Sequence, residues 1–474
     1  MTLPTSISIC FYIKWLCFLW IVSGCNSTTP SQRENADTII YADTSQVLSL
    51  NQGVSFLKAT SPTLIDDIII SKKFKFTNGE IQTLQPGSYW FKFSLKNNSS
   101  QSLLKIELSH PQMDTADLYV VSNGNIIKVF HAGNFRRDKF TNNTYHQNPT
   151  YNIPLNKDEV VDCYIYASSR SFIICPLFIG NTEQILSKQN LQDMLFCIYL
   201  GTFLSMIFYN LFIYTSTRDK MYLLYVAYAI MITLSQLTLF GYGYRFILPD
   251  TPEVSYWLYS ITGALVGTAA ALFIESFLEI KKYSYRLFIA VRCIAYLFLL
   301  HFILDILGFY YLREIVYDIL GLTGCILFYI CVITANQKGN TTAKYLFAGW
   351  SIFFFGHIMF ILKNEGILPY NWITNFSLTA GTAIETILLS FALADRINTL
   401  RKDNDKKQKE IIKYLEANEQ YLKISKKLAI DAERLKKEIL IAEFETLKNQ
   451  VNPHFLFNSL NVLSDLVYED RTMQ

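Results

Sequence analysis

The chain has 474 residues, 51% of them hydrophobic and 17% charged, with a formal net charge of +3. So small an imbalance singles out no charged partner, and no nucleic-acid partner is expected. Six histidines and nine scattered cysteines form no CxxC or HExxH spacing, which leaves no basis for a structural metal site. The apolar residues are unevenly placed. Residues 190–395 form a nearly continuous series of apolar stretches, whereas 396–450 are densely charged, so one average conceals a membrane block and a solvated helix.

At the N-terminus, Lys14 precedes the apolar run 15–22, which is too short to span a bilayer, and Ser23-Gly24-Cys25 follow. Residues 1–25 therefore read as an export signal. Val22-Ser23-Gly24-Cys25 resembles a bacterial lipobox, in which Cys25 would become the lipidated first residue of the mature protein. The alternative is an ordinary signal peptide or uncleaved anchor that contains a cysteine. Residues 26–39 are small and polar, as expected of a tether.

From 40 to 185 the pattern changes to short alternating segments rich in Tyr, Phe, Ile and Val, broken by Asn, Gly, Ser and Pro. Strands are predicted at 89–95, 103–108, 116–121, 125–130 and 160–167, which makes an all-β sandwich or jelly roll long enough to bury its own core. Cys163 and Cys175 flank Ala167-Ser168-Ser169-Arg170-Ser171, and a symmetric hairpin turning there would set them opposite each other. A disulfide is one reading, and two buried small residues on neighbouring strands is the other. Trp90 and the tyrosines near it are either core or a platform for a sugar.

The membrane block divides into seven apolar segments centred near Leu204, Ile230, Ala269, Phe298, Ile326, Phe354 and Thr386. Each has about 20 residues, enough to cross the hydrocarbon core. With an exported N-terminus, the loops predicted to be cytoplasmic carry Arg218, Lys220, Lys281, Lys282, Arg286, Lys338 and Lys344, and the external ones only Arg245, Arg313 and Lys363. That bias agrees with the export signal and places the C-terminus in the cytoplasm. Glu275, Arg292, His301, Asp305, His357 and Glu385 lie within the helices, where burial is costly, so they are expected to face other helices. Glu385 is the leading candidate for signal transmission, because it sits mid-helix in the segment that leads into the cytoplasm. A structural interhelical hydrogen bond is the alternative.

After Asp395-Arg396 there is no Gly or Pro until Pro453. Leu415 and Leu422, then Leu428, Leu435 and Ala442, keep a heptad step that is one residue short between Leu422 and Leu428. Residues 396–446 are therefore expected to form a parallel two-stranded coiled coil in a homodimer, with a single solvated helix as the alternative. In 447–474, His454, Asn458, Asn461 and Asp465 fall at i, i+4, i+7 and i+11, one polar face of a helix, while Leu456, Leu460, Leu463 and Val467 line the apolar face. Pro453 sits where a first turn tolerates it.

The run Leu447-Lys448-Asn449-Gln450-Val451-Asn452-Pro453-His454-Phe455-Leu456-Phe457-Asn458-Ser459-Leu460-Asn461 resembles the histidine box of LytS-like sensor histidine kinases. Tyr209-Asn210-Leu211-Phe212-Ile213-Tyr214, Arg218-Asp219-Lys220 and Tyr222-Leu223-Leu224-Tyr225 resemble the opening of the membrane module of seven-transmembrane receptors with diverse intracellular signalling modules. Leu388-Leu389-Ser390-Phe391-Ala392-Leu393-Ala394-Asp395-Arg396-Ile397 resembles its end. Tyr89-Trp90-Phe91-Lys92-Phe93 with Asn97, and the segment 114–119, resemble that family's extracellular jelly-roll sensor, which is similar to carbohydrate-binding modules.

The resemblance implies that His454 is the phosphoacceptor and Asn458 a positioning residue, in a sensor at the bacterial inner membrane. The partners it implies are an extracellular ligand, with carbohydrate a candidate, membrane lipid, and a response regulator whose aspartate receives the phosphoryl group. ATP and magnesium belong to a nucleotide-binding domain that follows the histidine helix in such kinases, and no cofactor is expected on residues 1–474 themselves. No GxxxxGK[ST] or GxGxxG replaces that domain. The chain by itself is therefore expected not to phosphorylate His454, either because it is a fragment or because a kinase domain acts from another chain. Two other classes compete. A non-enzymatic receptor or adaptor would dimerise and recruit a separate signalling protein, and a transporter would use the intramembrane acids as a proton relay.

Overall fold

The computed structural model describes residues 32–33, 38–43, 46–50, 53–59, 65–70, 74–76, 83–135, 146–340, 342–450 and 453–469. The export signal with Cys25, most of the tether, Val451, Asn452 and residues 470–474 lie outside the described residues. The described chain forms two compact units, the first ending at Asp395 and the second beginning at Arg396.

The N-terminal part of the first unit is a two-sheet sandwich. One sheet holds β1 (Gln32–Arg33), β2 (Thr38–Tyr41), β4 (Ser55–Lys58), β5 (Lys75–Phe76), β6 (Gly87–Asn97), β8 (Thr115–Ser122), β9 (Asn125–Phe130) and β11 (Val160–Ser169), in the order β1-β2-β6-β11-β8-β9. Parallel β2 and antiparallel β4 share one edge of β6, β2 along Ser94 to Asn97 and β4 along Tyr89 to Lys92. The second sheet runs β10 (Thr150–Pro154), β7 (Leu103–Leu108), β12 (Leu177–Gly180), β3 (Leu48–Ser49).

The period of two decides which side chains meet between the sheets. Phe91, Phe93 and Leu95 of β6 and Val161, Cys163, Ile165 and Ala167 of β11 pack against Leu104, Ile106 and Leu108 of β7 and Leu177 and Ile179 of β12. Each large apolar side chain so buried contributes about 1.5–3 kcal/mol. Trp90 points to the outer face, where α1 (Ile65–Ile70) helps to cover it, and the rings of Tyr119 and Tyr166 lie 5.6 and 5.1 Å away. At 3% exposure it belongs to a second small core and presents no platform to solvent.

The hairpin expected between Cys163 and Cys175 is not formed. β11 belongs to the first sheet and β12 to the second, so the chain crosses the sandwich after Ser169 instead of doubling back. Both cysteines are buried and unbonded, and burial pushes both thiols up.

The sandwich passes directly into the membrane block. Asn181, just after β12, caps α2 (Thr182–Thr217) in a reciprocal box: its Oδ1 accepts from Gln184 N at 2.9 Å, and Gln184 Oε1 accepts from its own N–H at 3.0 Å. Among the described residues seven helices are long and apolar enough to cross a membrane, and each contains one of the predicted centres. They are α2, α3 (Lys220–Leu239), α4 (Pro252–Phe277), a fourth made of α6 (Tyr285–Leu300) and α7 (Phe302–Ile306), α8 (Tyr310–Gln337), α9 (Ala343–Asn364) and α10 (Trp372–Gln450), with the short α5 (Ile280–Tyr283) before α6. Between α2 and α3 the chain turns on Arg218, whose left-handed φ of 56° ends one helix, and Asp219, whose carboxylate accepts from Met221 N to start the next. α9 and α10 touch backbone to backbone: a Cβ at Gly356 would lie 2.4 Å from Ser377 O, so only glycine fits.

α10 has 79 residues and ends at Gln450, so the stretch after Asp395, free of Gly and Pro, is helical as expected. α11 (Pro453–Glu469) follows, with Pro453 opening its first turn.

Candidate functional site

On α11, His454, Asn458, Asn461 and Asp465 are all exposed, so the polar face predicted from their spacing is open to solvent. The i, i+4 relation brings Asn458 Nδ2 to 3.1 Å from His454 Nδ1. An amide can present either its NH2 or its oxygen to an imidazole. In one orientation it donates to Nδ1 and leaves the ring proton on Nε2; turned over, it accepts from Nδ1–H and leaves the lone pair on Nε2. The opposite face is equally uncovered, with Leu456, Leu460 and Leu463 46, 58 and 59% exposed. Val467 falls among the side chains outside the description.

In the membrane block Glu385 of α10 is fully buried and accepts a hydrogen bond from Tyr228 Oη at 2.8 Å. Tyr222, Tyr225 and Tyr228 recur every three residues on α3, so they descend one face of that helix. Tyr225 Oη donates to Thr386 O at 2.8 Å and Tyr222 Oη to Leu393 O at 3.2 Å. Asn210 of α2 adds a bond to Ser390 Oγ at 2.9 Å. Glu385 Oε2 and Thr386 Oγ1 are buried with no hydrogen-bond partner among the described residues.

Of the other intramembrane groups, Asp305 accepts from Tyr256 Oη at 2.8 Å and from Ser260 Oγ, and pairs with Arg313 Nε at 3.3 Å. His301 ends α6, its Nδ1 against Phe298 O. His357 stacks on Phe353, and both of its ring nitrogens lack hydrogen-bond partners among the described residues. Arg292 departs from the expectation that these groups face other helices. Its side chain is 44% exposed on the surface of the bundle, where Glu275 holds it through bonds of 2.6 and 2.9 Å. A bidentate carboxylate neutralises the guanidinium there without an inward position.

A third cluster, unmarked in the sequence reading, joins the sandwich to the helix ends. Glu107 of β7 is fully buried and accepts from Lys188 Nζ at 2.7 Å, Asn148 Nδ2 at 2.9 Å, Gln189 Nε2 at 3.1 Å and Ser109 Oγ. Burial alone would raise its pKa, but the charge of Lys188, the field of His146 and the bonds from Lys188 and Ser109 hold it below the ordinary carboxylate value. Asp193, farther along α2, accepts from Tyr242 Oη at 2.7 Å and Arg245 Nη1 at 3.2 Å. Arg170 bridges Asp114 at 3.4 Å and Glu253 at 2.9 Å, its guanidinium 3.8 Å from the centre of the Tyr256 ring. Gly241, at φ +77°, lies under Pro111, where a Cβ would approach to 2.6 Å. Arg245, Arg313 and Lys363, the cations assigned to external loops by charge counting, all lie in or beside this junction.

The junction encloses a cavity of about 120 Å³ lined by sandwich loops, among them Ser109 to Gln112, and by residues of the helix ends. A second cavity, of about 130 Å³, continues into the bundle toward Tyr228 and His357. The two share walls at Phe172, Leu239, Tyr259, Glu314, Phe360 and Asn364. No cluster of His, Cys, Asp and Glu suited to a metal occurs among the described residues. The signal in the sequence that could have found this junction is the polar run Lys188-Gln189-Asn190-Leu191-Gln192-Asp193, unusual at the start of a membrane helix.

Family models match the chain in three segments. Residues 39–180 match the 7TMR-DISM extracellular 2 model, 192–396 match 7TM diverse intracellular signalling, and 442–474 match histidine kinase. No curated protein matches the chain.

Proposed function

The chain belongs with the transmembrane sensor histidine kinases built on the 7TMR-DISM extracellular and seven-helix modules, and from that premise we propose that it relays binding of an extracellular ligand to phosphorylation of His454. It is a multi-pass membrane protein with an extracellular domain, and the histidine-kinase family implies a dimer and a response-regulator partner. The reading places it in a bacterial inner membrane with the second unit in the cytoplasm.

The observation that carries the role of His454 is its place in the matched segment, on an exposed helix face with its Nδ1 against Asn458. For phosphoryl transfer a neutral ring nitrogen must present its lone pair to the γ-phosphorus of ATP. Asn458, turned so that its oxygen accepts from Nδ1–H, stabilises the tautomer that leaves Nε2 with that lone pair. ATP, magnesium and the groups that stabilise the transferring phosphoryl belong to a nucleotide-binding domain; the phosphoryl then passes to an aspartate of a response regulator. Upstream, the tyrosines of α3 grip α10 at Glu385, Thr386 and Leu393, so a shift of α3 carries the seventh helix with it.

With a nucleotide-binding domain present on the chain or supplied to it, His454→Gln abolishes incorporation of labelled phosphate. Acid-labile label that persists in the variant contradicts the assignment. Asn458→Ala, which removes the tautomer control but not the nucleophile, lowers the rate about 10-fold, the scale of one charge-assisted or orienting hydrogen bond.

A further inference from the structure

Lys363, in the last turn of α9, is 6% exposed. Its ammonium has three donors. One is used, on Asn375 Oδ1 at 3.1 Å, and among the described residues no carboxylate lies within 4.0 Å of it. The rings of Phe360 and Tyr370, 4.4 and 5.3 Å away, and the carbonyl end of α9 favour a cation there, yet none of these is a counter-ion.

Lys363 lines the junction cavity, and His110 of the sandwich lines it from the opposite side. His110 Nδ1 is buried without a hydrogen-bond partner among the described residues. Burial and the charge of Lys363 push the His110 pKa down to about 4, so its ring is neutral near pH 7, and with its one N–H on the Phe172 backbone the free Nδ1 carries a lone pair. A buried, incompletely bonded ammonium and a buried imidazole with one unpartnered nitrogen thus meet at one cavity. Unsatisfied groups of this kind are costly unless something occupies the space between them.

We propose that this cavity binds a small organic carboxylate, with Lys363 as its counter-ion and the neutral His110 ring as part of its wall. The remaining wall selects among anions. Phe240, Tyr242, Tyr259 and Phe376 give it an aromatic lining suited to an organic body. Glu314 also faces the cavity, its charge answered by Arg313, so a second negative charge on the ligand is disfavoured and inorganic phosphate is a poor fit. Because the wall is half sandwich and half helix ends, a bound carboxylate draws the two together. The inference rests on the receptor reading only in supposing that this movement reaches the output; binding itself needs neither His454 nor ATP.

The test titrates the protein in lipid nanodiscs with acetate, propionate and benzoate, with acetamide, propionamide, benzamide and inorganic phosphate as controls, reading the melting temperature and the heat of binding. At least one carboxylate binds saturably while its amide and phosphate do not. Lys363→Met weakens that binding about 10- to 100-fold, the loss of a charge-assisted hydrogen bond, without lowering the stability of the unliganded protein. Lys363→Arg retains part of it, and His454→Gln binds as the unaltered protein does. If Lys363→Met fails to fold, protection of Lys363 from reductive methylation by the bound carboxylate, mapped by mass spectrometry, gives the same answer. Saturable binding by none of the three carboxylates, equal binding to Lys363→Met, no protection of Lys363, or a preference for phosphate overturns the proposal.

Discussion

Leu389 and Leu393 of α10 are 0 and 1% exposed inside the bundle, whereas Leu415, Leu422, Leu428 and Leu435 of the same helix are 57 to 63% exposed. The first pair needs only its own chain to leave water. The second set repeats with the step of a coiled-coil seam, and α11 adds Leu456, Leu460 and Leu463 in the same state. Apolar residues at regular helical spacing, uncovered within one chain, call for a second helix. The two regions also differ in their polar groups. Tyrosines and carboxylates of the bundle and junction are bonded to partners far away in sequence, such as Lys188 to Glu107, whereas the ion pairs Lys423–Glu419 and Arg434–Glu438 of the second unit join neighbouring turns. On the proposed reading the first unit is stabilised by its own tertiary structure and the second by association.

The contrast can be broken by substitutions that strike one region and spare the other. The largest effect is expected from Leu428→Asp with Leu435→Asp. Each leucine buried at a dimer seam is worth about 1.5–3 kcal/mol per chain, and a buried carboxylate adds a further penalty, so sedimentation in detergent shows loss of the cytoplasmic dimer while melting of the extracellular domain is unchanged. Next is Glu107→Ala, which leaves Lys188 and Gln189 without their acceptor. A broken buried pair costs several kcal/mol, and because Lys188 can relax toward water the loss is set at about 3 kcal/mol, read as a lower melting temperature with the dimer intact.

The same carboxylate fixes a pH window. Its folded pKa lies below the ordinary value, so its contribution is complete above the usual carboxylate range, about pH 4–5, and is lost as pH falls through the folded value. Melting of Glu107→Gln is therefore less sensitive to acid than that of the unaltered protein. Smallest is Tyr228→Phe, which removes the hydrogen bond to Glu385 and leaves the carboxylate buried. The expected cost is about 1–3 kcal/mol, confined to melting of the bundle.

The elements most legible in the sequence are those whose signal is local. Seven apolar stretches predict seven helices because span length and hydropathy need no partner, and the short apolar runs 103–108 and 125–130 form strands with the bounds expected. His454 is visible through a long contiguous motif. What escaped notice depends on contacts between distant segments. Lys363 reads as one loop charge in a topology count, and nothing in its neighbours shows that His110, more than 250 residues earlier, faces the same cavity. The symmetric spacing of Cys163 and Cys175 suggested a hairpin because sequence does not say which sheet the next strand joins. Arg292 was expected to turn inward on the cost of a charge in lipid, but Glu275 removes most of that cost where it stands.

The central claim, that the seventh helix drives His454 through the phase of an associated helical seam, is tested most directly by labelled phosphate on His454 in two deletions with the kinase domain present. Removing Ser425 alone turns everything downstream by about 100° about the helix axis, while removing the seven residues 422–428 nearly restores the original face. The expected result is altered phosphorylation in the first and output close to that of the unaltered protein in the second. Equal phosphorylation in all three proteins would contradict the claim and make the helix a passive tether.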